Sequence, residues 1–291
     1  MQDAARPSLS EALQDAEQQP NADSTPGQPV SACEEYKFDT VIPLVYPLQP
    51  ITIPLQAIED GMSLTEWAVL SISRSMSATF NRPNTNPPLA ITSSTDTQIR
   101  VTGLGHAGVV IINGETGRTR YFEYGRYGGP YGRVRERTVA DVTLEDYCNP
   151  SSASLEALAR DVTRTNGGPY GFEAAYIKLP DGSYEQMEQF ITQRVSAVQA
   201  RTAAAYDINS NHCFTFAVEV AAAGGAQSDV SSAPDLDIRL RSRIGTSVSA
   251  PDDLNIELPS RQIQVLQSRY TALSVGTNGQ IPASFAPPVR P

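Results

Sequence analysis

The stretch GHAGVVIINGETGRTRYFEYG, residues 105–125, decides the fold of this chain. Its first half, His106 to Ile112, is short, apolar and β-branched, which is typical of a buried strand. Asn113 to Gly117 contains the residues that turns favour, and Arg118 to Tyr124 alternates between polar and apolar side chains. The pattern predicts an antiparallel β-hairpin and therefore a sheet at the core of the protein.

Helices are predicted on both sides of this hairpin. The patterns Ser63–Glu66 and Ser183–Gln186 are capping boxes, and each predicts the start of a helix. In a capping box the serine hydroxyl accepts from the backbone N–H of the fourth residue, and the side chain of the fourth residue accepts from the backbone N–H of the serine. Apolar patterns place other helices over 154–165, 212–224 and 258–273, and other strands over 97–102, 133–139, 174–179 and 235–244. An antiparallel sheet packed against separate helices predicts an α+β fold.

The two ends of the chain differ from its centre in composition. Residues 1–40 are mostly polar and cannot bury enough surface to become ordered, so we expect a flexible tail. Residues 41–58 are apolar but contain four prolines, which predicts an extended segment or an edge strand. We expect a catalytic domain with an N-terminal extension over 41–230 and a partly disordered C-terminal extension over 231–291.

The net charge of −10 excludes several classes of function. A nucleic-acid binder needs a basic face to neutralise phosphates, and anionic lipid likewise attracts basic proteins. No apolar run of 18 residues is present, so we expect no membrane span. The N-terminus lacks the basic and apolar regions of a signal peptide. We expect synthesis in the cytoplasm and export by another route.

The chain has three cysteines (Cys33, Cys148, Cys213) and two histidines (His106, His212). No two cysteines are spaced as in C-x-x-C motifs, so a structural zinc site is not expected. We expect no metal and no organic cofactor. Cys33 and Cys148 are interpreted either as bystanders or as a disulfide formed after export.

Cys213 is the candidate nucleophile. It follows the polar run Asn209–Asn211 and opens an apolar, alanine-rich helix. A helix N-terminus lowers the pKa of a thiol through its unpaired amides and partial positive charge. The backbone N–H of the cysteine itself is then a natural oxyanion donor. The alternative is that Cys213 is a small apolar core residue, as most buried cysteines are.

His106 is the candidate base, and Glu123 is the candidate group that orients it. If the hairpin turn centres on residues 114–115, His106 lies opposite position 123. If the turn centres on residues 115–116, His106 lies opposite position 125 and diagonal to Glu123. In both registers the two side chains share a face. Tyr121 shares that face and is the second candidate. Alternatively, Glu123 is an exposed residue paired with Arg118, Arg120 or Arg126.

Substrate contacts are predicted around the glycine- and tyrosine-rich loop that follows the hairpin. Tyr121, Tyr124, Arg126 and Tyr127 lie in or beside a glycine-rich segment, where they would bind a substrate carboxylate or sugar. His212 precedes the nucleophile, but adjacent helical residues point about 100° apart, which makes it a poor base for Cys213. We assign His212 to the N-terminal turn or to the substrate.

The histidine strand in GHAGVVII, the polar residue in YFEYG and the later NHCFTFA resemble the circularly permuted papain-like NlpC/p60 superfamily. The resemblance covers roughly residues 100–225. It implies an antiparallel sheet packed against the helix that bears the catalytic cysteine, and a Cys213–His106–Glu123 site. The motifs look most like those of antibacterial effectors delivered by type VI secretion.

That resemblance implies hydrolysis of an amide bond in peptidoglycan stem peptides, in the periplasm of a target bacterium. The partners implied are the peptidoglycan peptide, an immunity protein and a secretion spike protein. Two alternatives stay open. The same Cys–His dyad would serve an acyltransferase or a lipid-deacylating enzyme, as in relatives of lecithin–retinol acyltransferase. A non-enzymatic secretion adaptor or structural protein would use the proline-rich segment and the tails to bind a partner.

Overall fold

The eleven strands and four helices of this computed structural model fall within residues 37–54, 90–94, 98–102, 105–125, 127, 131–165, 170–207, 210–227, 236–237, 255–256 and 259–289, which are the residues it describes. The strands are β1 (Phe38–Tyr46), β2 (Ile51–Pro54), β3 (Ala90–Ser94), β4 (Gln98–Thr102), β5 (His106–Ile112), β6 (Thr119–Gly125), β7 (Arg133–Arg137), β8 (Phe172–Pro180), β9 (Leu236–Asp237), β10 (Asn255–Ile256) and β11 (Thr271–Val275). The helices are α1 (Ser152–Arg164), α2 (Ser183–Gln199), α3 (Cys213–Ala223) and α4 (Pro259–Arg269).

Six strands form one sheet in the order β11-β8-β1-β5-β6-β7, with every neighbouring pair antiparallel. Helices α2, α3 and α4 form one apolar cluster with every second residue of β1 and β5, on one face of the sheet. Helix α1 forms a second cluster with the other residues of those strands, on the opposite face. Both faces of the central strands are therefore covered, which explains why β5 is buried along its whole length. The α+β class predicted from the sequence is confirmed.

The predicted hairpin is confirmed as β5 and β6, and its register is the second of the two considered. Gly108 pairs with Glu123, so the turn centres between residues 115 and 116. His106 therefore lies two residues beyond Gly108, toward the end of the sheet, with its side chain on the same side of the hairpin as Glu123.

The expectation of an edge strand in the proline-rich segment is correct for β2, which lies at the edge of the three-stranded sheet, and wrong for β1. β1 lies between β5 and β8 and is buried throughout. Pro43 sits opposite Val109 in a continuous register with β5, whereas pairing with β8 is interrupted between Val41 and Leu44. Because proline has no N–H donor, it weakens the ladder on one side, and burial on both faces of the strand outweighs that loss.

The predicted capping box at Ser183 is also wrong. The N-cap of α2 is Gly182, and Ser183 instead donates its hydroxyl proton to the carbonyl of Gly224 at 2.8 Å. The capping group comes from β1: one carboxylate oxygen of Asp39 accepts from the N–H of Tyr184 at 2.8 Å, and the other accepts from the N–H of Gly114 at 2.8 Å. A single buried carboxylate thus ties a helix start and the hairpin turn to the central strand.

Asp39→Ala is expected to lower the free energy of unfolding by at least about 2 kcal/mol, because two buried N–H donors lose their acceptor and each such loss costs about 1–3 kcal/mol. Urea denaturation measures this difference. Asp181→Ala is the matched control, since Asp181 is an exposed residue in the turn before the same helix. Equal losses in the two variants would contradict the assigned role of Asp39.

The described residues 259–289 contain regular structure that packs on the central sheet. The helix predicted over 258–273 ends at Arg269, and Thr271–Val275 forms β11 against β8. The C-terminal extension, expected to be partly disordered, includes Phe285, whose ring packs edge-on against Tyr176 with the ring centroids 5.8 Å apart. Lys178 donates to the carbonyl of Val289 at 3.2 Å. Among the described residues beyond position 230, β11 therefore adds an edge strand to the central sheet.

Other predictions lie partly or wholly outside the described residues. Strand β4 confirms the prediction over 97–102, but it pairs with β2 and β3 in a separate three-stranded sheet. The tail, the helix predicted from Ser63 and most of the strand predicted over 235–244 are outside the described ranges. Cys148 is disulfide-bonded and Cys213 is a free thiol. Cys33 is outside the described residues.

Candidate active site

Cys213 lies at the first position of α3, as the sequence predicted. The residue is 3% exposed. Its backbone N–H is one of the four at a helix start that have no acceptor within the helix, so that group is available to an oxyanion. His212 is the N-cap residue, and the apolar side chains that follow pack the helix against the sheet.

His106 opens β5 directly after Gly105, whose φ of +76° lies in the left-handed region that glycine adopts readily. A Cβ atom at Gly105 would lie 3.2 Å from a methyl carbon of Val45, so the backbone packs closely here. His106 is 7% exposed. The backbone turn thus delivers the imidazole to the end of the sheet where α3 begins, about a hundred residues away in sequence.

The two side chains interact with each other and change each other's acidity. Burial raises the pKa of the Cys213 thiol, but its interactions with His106 and then His212 outweigh burial and lower that pKa to about 6. Burial lowers the pKa of His106, but its interactions with Cys213 and Glu123 outweigh burial and raise that pKa to about 9. Near neutral pH the pair is therefore a thiolate and an imidazolium.

Glu123 is fully buried, so the alternative of an exposed surface residue is wrong. Its Oε1 accepts from the hydroxyl of Tyr121 at 2.8 Å, and its Oε2 accepts from Nε of Arg137 at 3.1 Å. Burial raises the pKa of Glu123, but interactions with His106, Tyr121 and Arg137 outweigh it and hold the pKa at about 2. The carboxylate is therefore charged near neutral pH.

Tyr127 stands between the carboxylate and the imidazole. Oε2 of Glu123 is 3.8 Å from Nε2 of His106, too far for a hydrogen bond. The hydroxyl of Tyr127 is 3.1 Å from that Nε2 and 3.5 Å from the same Oε2. With a protonated imidazole, His106 donates to Tyr127, and Tyr127 donates to Glu123. Because Nε2 faces these groups, Nδ1 is the nitrogen left for the thiol.

Gly108 allows Tyr121 to reach the carboxylate. A Cβ atom at Gly108 would lie 2.5 Å from the ring of Tyr121. Without it, the phenol lies across β5, donates to Glu123 and contacts the hydroxyl of Tyr46 at 2.9 Å. Tyr46 in turn donates to the carbonyl of Val162 at 2.9 Å. Gly108, two residues after His106 in β5, therefore leaves the space that Tyr121 needs to reach the carboxylate of Glu123.

The predicted substrate residues fall into different places. Tyr121 and Tyr124 are fully buried and hydrogen-bonded to protein groups, so they shape the site without facing an open cleft. Tyr127 is half-buried and contacts His106 directly. Arg126 is outside the described residues. His212 is the N-cap residue of α3; an N-terminal turn was one of the two placements expected from the sequence, and a substrate contact was the other.

The sequence did not predict three residues that contact the candidate site: Arg137, Arg135 and Tyr46. Arg137 binds Glu123, and the guanidinium of Arg135 lies 3.4 Å from the centroid of the Tyr127 ring. The period-two spacing of RVRER contained the signal, since alternate residues of a strand share a face. The register with β6, which pairs Arg135 with Glu123, could not be obtained from that spacing alone.

Two negative findings apply to the described ranges alone. Within them, no group of three or more histidine, cysteine, aspartate or glutamate side chains is arranged to hold a metal ion. No helix of that part of the chain has both the length and the apolar character needed to cross a bilayer.

Comparisons with known proteins agree with this architecture. A crystal structure of the type VI secretion system effector TseH matches with a TM-score of 0.52 and 20% sequence identity, over 84% of this chain and 97% of that chain. At that identity the match shows a shared fold. A search of curated proteins returned no match. The family model for type VI secretion system effectors of the TseH-like type matches residues 41–230. The chain therefore belongs to the TseH-like family of type VI secretion system effectors.

Proposed function

We propose that this effector is a papain-like cysteine hydrolase of the permuted NlpC/p60 type, which cleaves an amide bond in peptidoglycan stem peptides as an antibacterial toxin. Cys213 is the nucleophile and His106 is the acid–base group. Glu123 orients the imidazole and stabilises its protonated form. The observation that supports this most strongly is the convergence of these three residues, from β5, β6 and the start of α3, in one buried cluster.

The chemistry follows from the charges of that cluster. The Cys213 thiolate attacks the amide carbonyl carbon, and the resulting oxyanion is stabilised by the Cys213 backbone N–H. His106, already protonated, gives its proton to the leaving amine as the C–N bond breaks, which leaves a thioester on Cys213. His106 then removes a proton from water while the water oxygen attacks the thioester carbon. The tetrahedral intermediate expels the Cys213 thiolate and releases the product acid, which restores the thiolate–imidazolium pair.

The substrate class rests on family membership together with the site. Type VI effectors are injected into neighbouring bacteria, and an amide of the peptidoglycan stem peptide is a target on which a cysteine hydrolase can act from the periplasm. An immunity protein in the producing cell and a spike protein for delivery are the partners that such a toxin needs. The net charge of −10 fits neither nucleic acid nor an anionic membrane as the target.

Digestion of purified sacculi tests the proposal. Wild-type protein should release peptide-cleaved fragments that mass spectrometry identifies by a new amino terminus, and Cys213→Ala should release none. Parallel reactions with phospholipid vesicles and with a thioester test the acyl-transfer alternative. Intact sacculi together with cleaved phospholipid would replace the amidase proposal with that alternative.

Directing the chain to the periplasm tests the adaptor alternative. Growth of the host should stop with the wild-type chain and continue with Cys213→Ala at equal protein levels. Toxicity that survives this substitution would show that the effect does not need the thiol, and the hydrolase proposal would fail.

Tyr127→Phe is expected to lower kcat about 10- to 100-fold, because a hydrogen bond to a charged group is worth about 1.5–3 kcal/mol. The phenyl ring keeps the contact with Arg135 and removes only the hydroxyl that bridges His106 and Glu123. Initial rates of muropeptide cleavage measure the effect. Tyr131→Phe is the matched control from the same loop, where the backbone carbonyl of Tyr131 accepts from Tyr124. A Tyr127→Phe rate equal to that of the control would exclude the bridge.

A further inference from the structure

His212 occupies a position for which histidine is an unusual choice. It is the N-cap of α3, where asparagine, aspartate, serine and threonine are the preferred residues. Its Nδ1 accepts a hydrogen bond from the N–H of Phe214 at 3.2 Å. Its own N–H donates to the hydroxyl of Thr215 at 2.7 Å, which closes a capping box. The imidazole is therefore held in one orientation by the helix that it caps.

The cap also fixes where the proton of this imidazole lies. A ring nitrogen that accepts from a backbone N–H is itself unprotonated, so the neutral ring has its proton on Nε2. His212 is 1% exposed, and Nε2 has no hydrogen-bond partner that meets ordinary distance and angle limits among the described residues. A buried N–H donor without an acceptor costs free energy. The sulfur of Cys213, the next residue, is a weaker acceptor that this N–H could use.

The thiol of Cys213 is surrounded by groups that can donate a hydrogen bond to its sulfur. The groups that act on the thiol are His106 from β5, His212 from its own helix start and the phenol of Tyr127. Tyr127 stays neutral because burial raises its pKa. His106 is the acid–base group and gives up its proton during the reaction. His212 cannot do so without breaking the cap, so its Nε2–H remains available to the sulfur throughout.

We propose that His212 is a second positioning residue of the candidate site: Nδ1 caps α3 while Nε2–H donates to the Cys213 thiolate. One ring thereby fixes both the helix start and the charge and direction of the sulfur. Serine would supply only the cap, aspartate would add a repelling charge beside the thiolate, and histidine supplies a cap and a donor together. The inference rests on the proposed function, in which the thiolate is the nucleophile.

The proton position can be read directly in the wild-type protein. The chain has two histidines, so long-range ¹⁵N–¹H spectra of ¹⁵N-labelled protein are simple, and His106→Ala assigns them. At about pH 8 we expect the His212 proton on Nε2 and an unprotonated Nδ1, because Nδ1 accepts from the N–H of Phe214. A proton on Nδ1 would overturn the inference, whatever the behaviour of the variants.

The effect on the thiol is tested by the pH dependence of Cys213 alkylation with iodoacetamide, followed by peptide mass spectrometry of the non-reduced protein. His212→Ser keeps a capping hydroxyl and loses the imidazole donor. Its alkylation midpoint is expected about one pH unit above that of the wild type, which makes the reaction about fivefold slower near pH 6. His212→Asn keeps both an acceptor and a donor, and is expected to lie between the two.

A purely structural role of His212 predicts a different outcome. Ser151→Ala removes the capping hydroxyl of α1, which accepts from the N–H of Ser154 at 3.2 Å, and serves as the control for lost helix stability. Its alkylation midpoint should equal that of the wild type. A His212→Ser midpoint that also equals the wild type would reject the inference. Because alkylation needs no substrate, these results are independent of whether peptidoglycan is cleaved.

Discussion

Cys213→Ser is expected to lower kcat/KM for muropeptide cleavage by at least about 10⁴-fold, since loss of a nucleophile typically removes most of the catalytic rate. Serine replaces the sulfur atom by oxygen and so places a hydroxyl at the start of α3. A serine hydroxyl is far less acidic than a thiol, so His106 cannot hold it as an anion, and the charged pair that the wild type forms is lost. Steady-state kinetics on purified muropeptides, with product analysis, measures the change.

Circular dichroism and the urea midpoint of Cys213→Ser serve as controls, because the substitution is isosteric and should leave the fold intact. Cys213→Ala should behave in the same way in the kinetic assay. If either variant keeps more than about a tenth of the wild-type rate, where loss of a nucleophile costs orders of magnitude, the thiol is not the nucleophile. The assignment of the site would then be wrong even if peptidoglycan is the substrate.

Glu123→Gln is expected to lower kcat by about 10²–10⁴-fold, the range seen when a catalytic histidine loses its carboxylate partner. The fully buried carboxylate raises the pKa of His106, which is about 9 in the wild type. An amide has no charge, so the pKa of His106 falls toward its ordinary value, and the support that the imidazolium gives to the thiolate weakens. The pH profile of kcat/KM should therefore narrow.

The direction of each limb follows from the wild-type values. Wild-type activity should rise near pH 6 as the thiol ionises and decline near pH 9 as the imidazolium loses its proton. In Glu123→Gln the alkaline limb should move to lower pH and the acid limb to higher pH. Glu136→Gln is the matched control, since Glu136 pairs with Arg120 on the half-exposed part of β7. A profile of unchanged width in Glu123→Gln would remove Glu123 from the proposed mechanism.

The hairpin and the helix start were predictable because each has a local cause. β-Branched residues followed by a turn form a strand pair, and a polar run before an alanine-rich segment starts a helix. Hairpin geometry then limited His106 and Glu123 to one face in either register. Cys213 and His106 could therefore both be proposed as site residues from local sequence patterns.

The remainder depends on contacts between distant segments. No local sequence pattern predicts that β1, which contains Pro43, lies at the centre of the sheet. The hydrogen bond that Pro43 cannot donate is compensated by burial of both faces of the strand, and that burial depends on distant segments. The carboxylate of Asp39 replaces a capping box about 145 residues away, as its bond to Tyr184 shows. The hydroxyl of Tyr127 contacts both His106 and Glu123, and the strand pattern of β6, which ends at Gly125, gives no indication of those contacts.

The rate at which iodoacetamide alkylates Cys213, measured from acidic to alkaline pH, tests the central claim most directly, because it reports both the charge of the sulfur and its access to a small molecule. In the wild type the rate should rise with a midpoint near pH 6. In His106→Ala the midpoint should move toward about 8.5, the ordinary pKa of a cysteine. A wild-type midpoint near that ordinary value, or no alkylation until the protein is unfolded, would contradict the thiolate–imidazolium pair on which the proposed hydrolase depends.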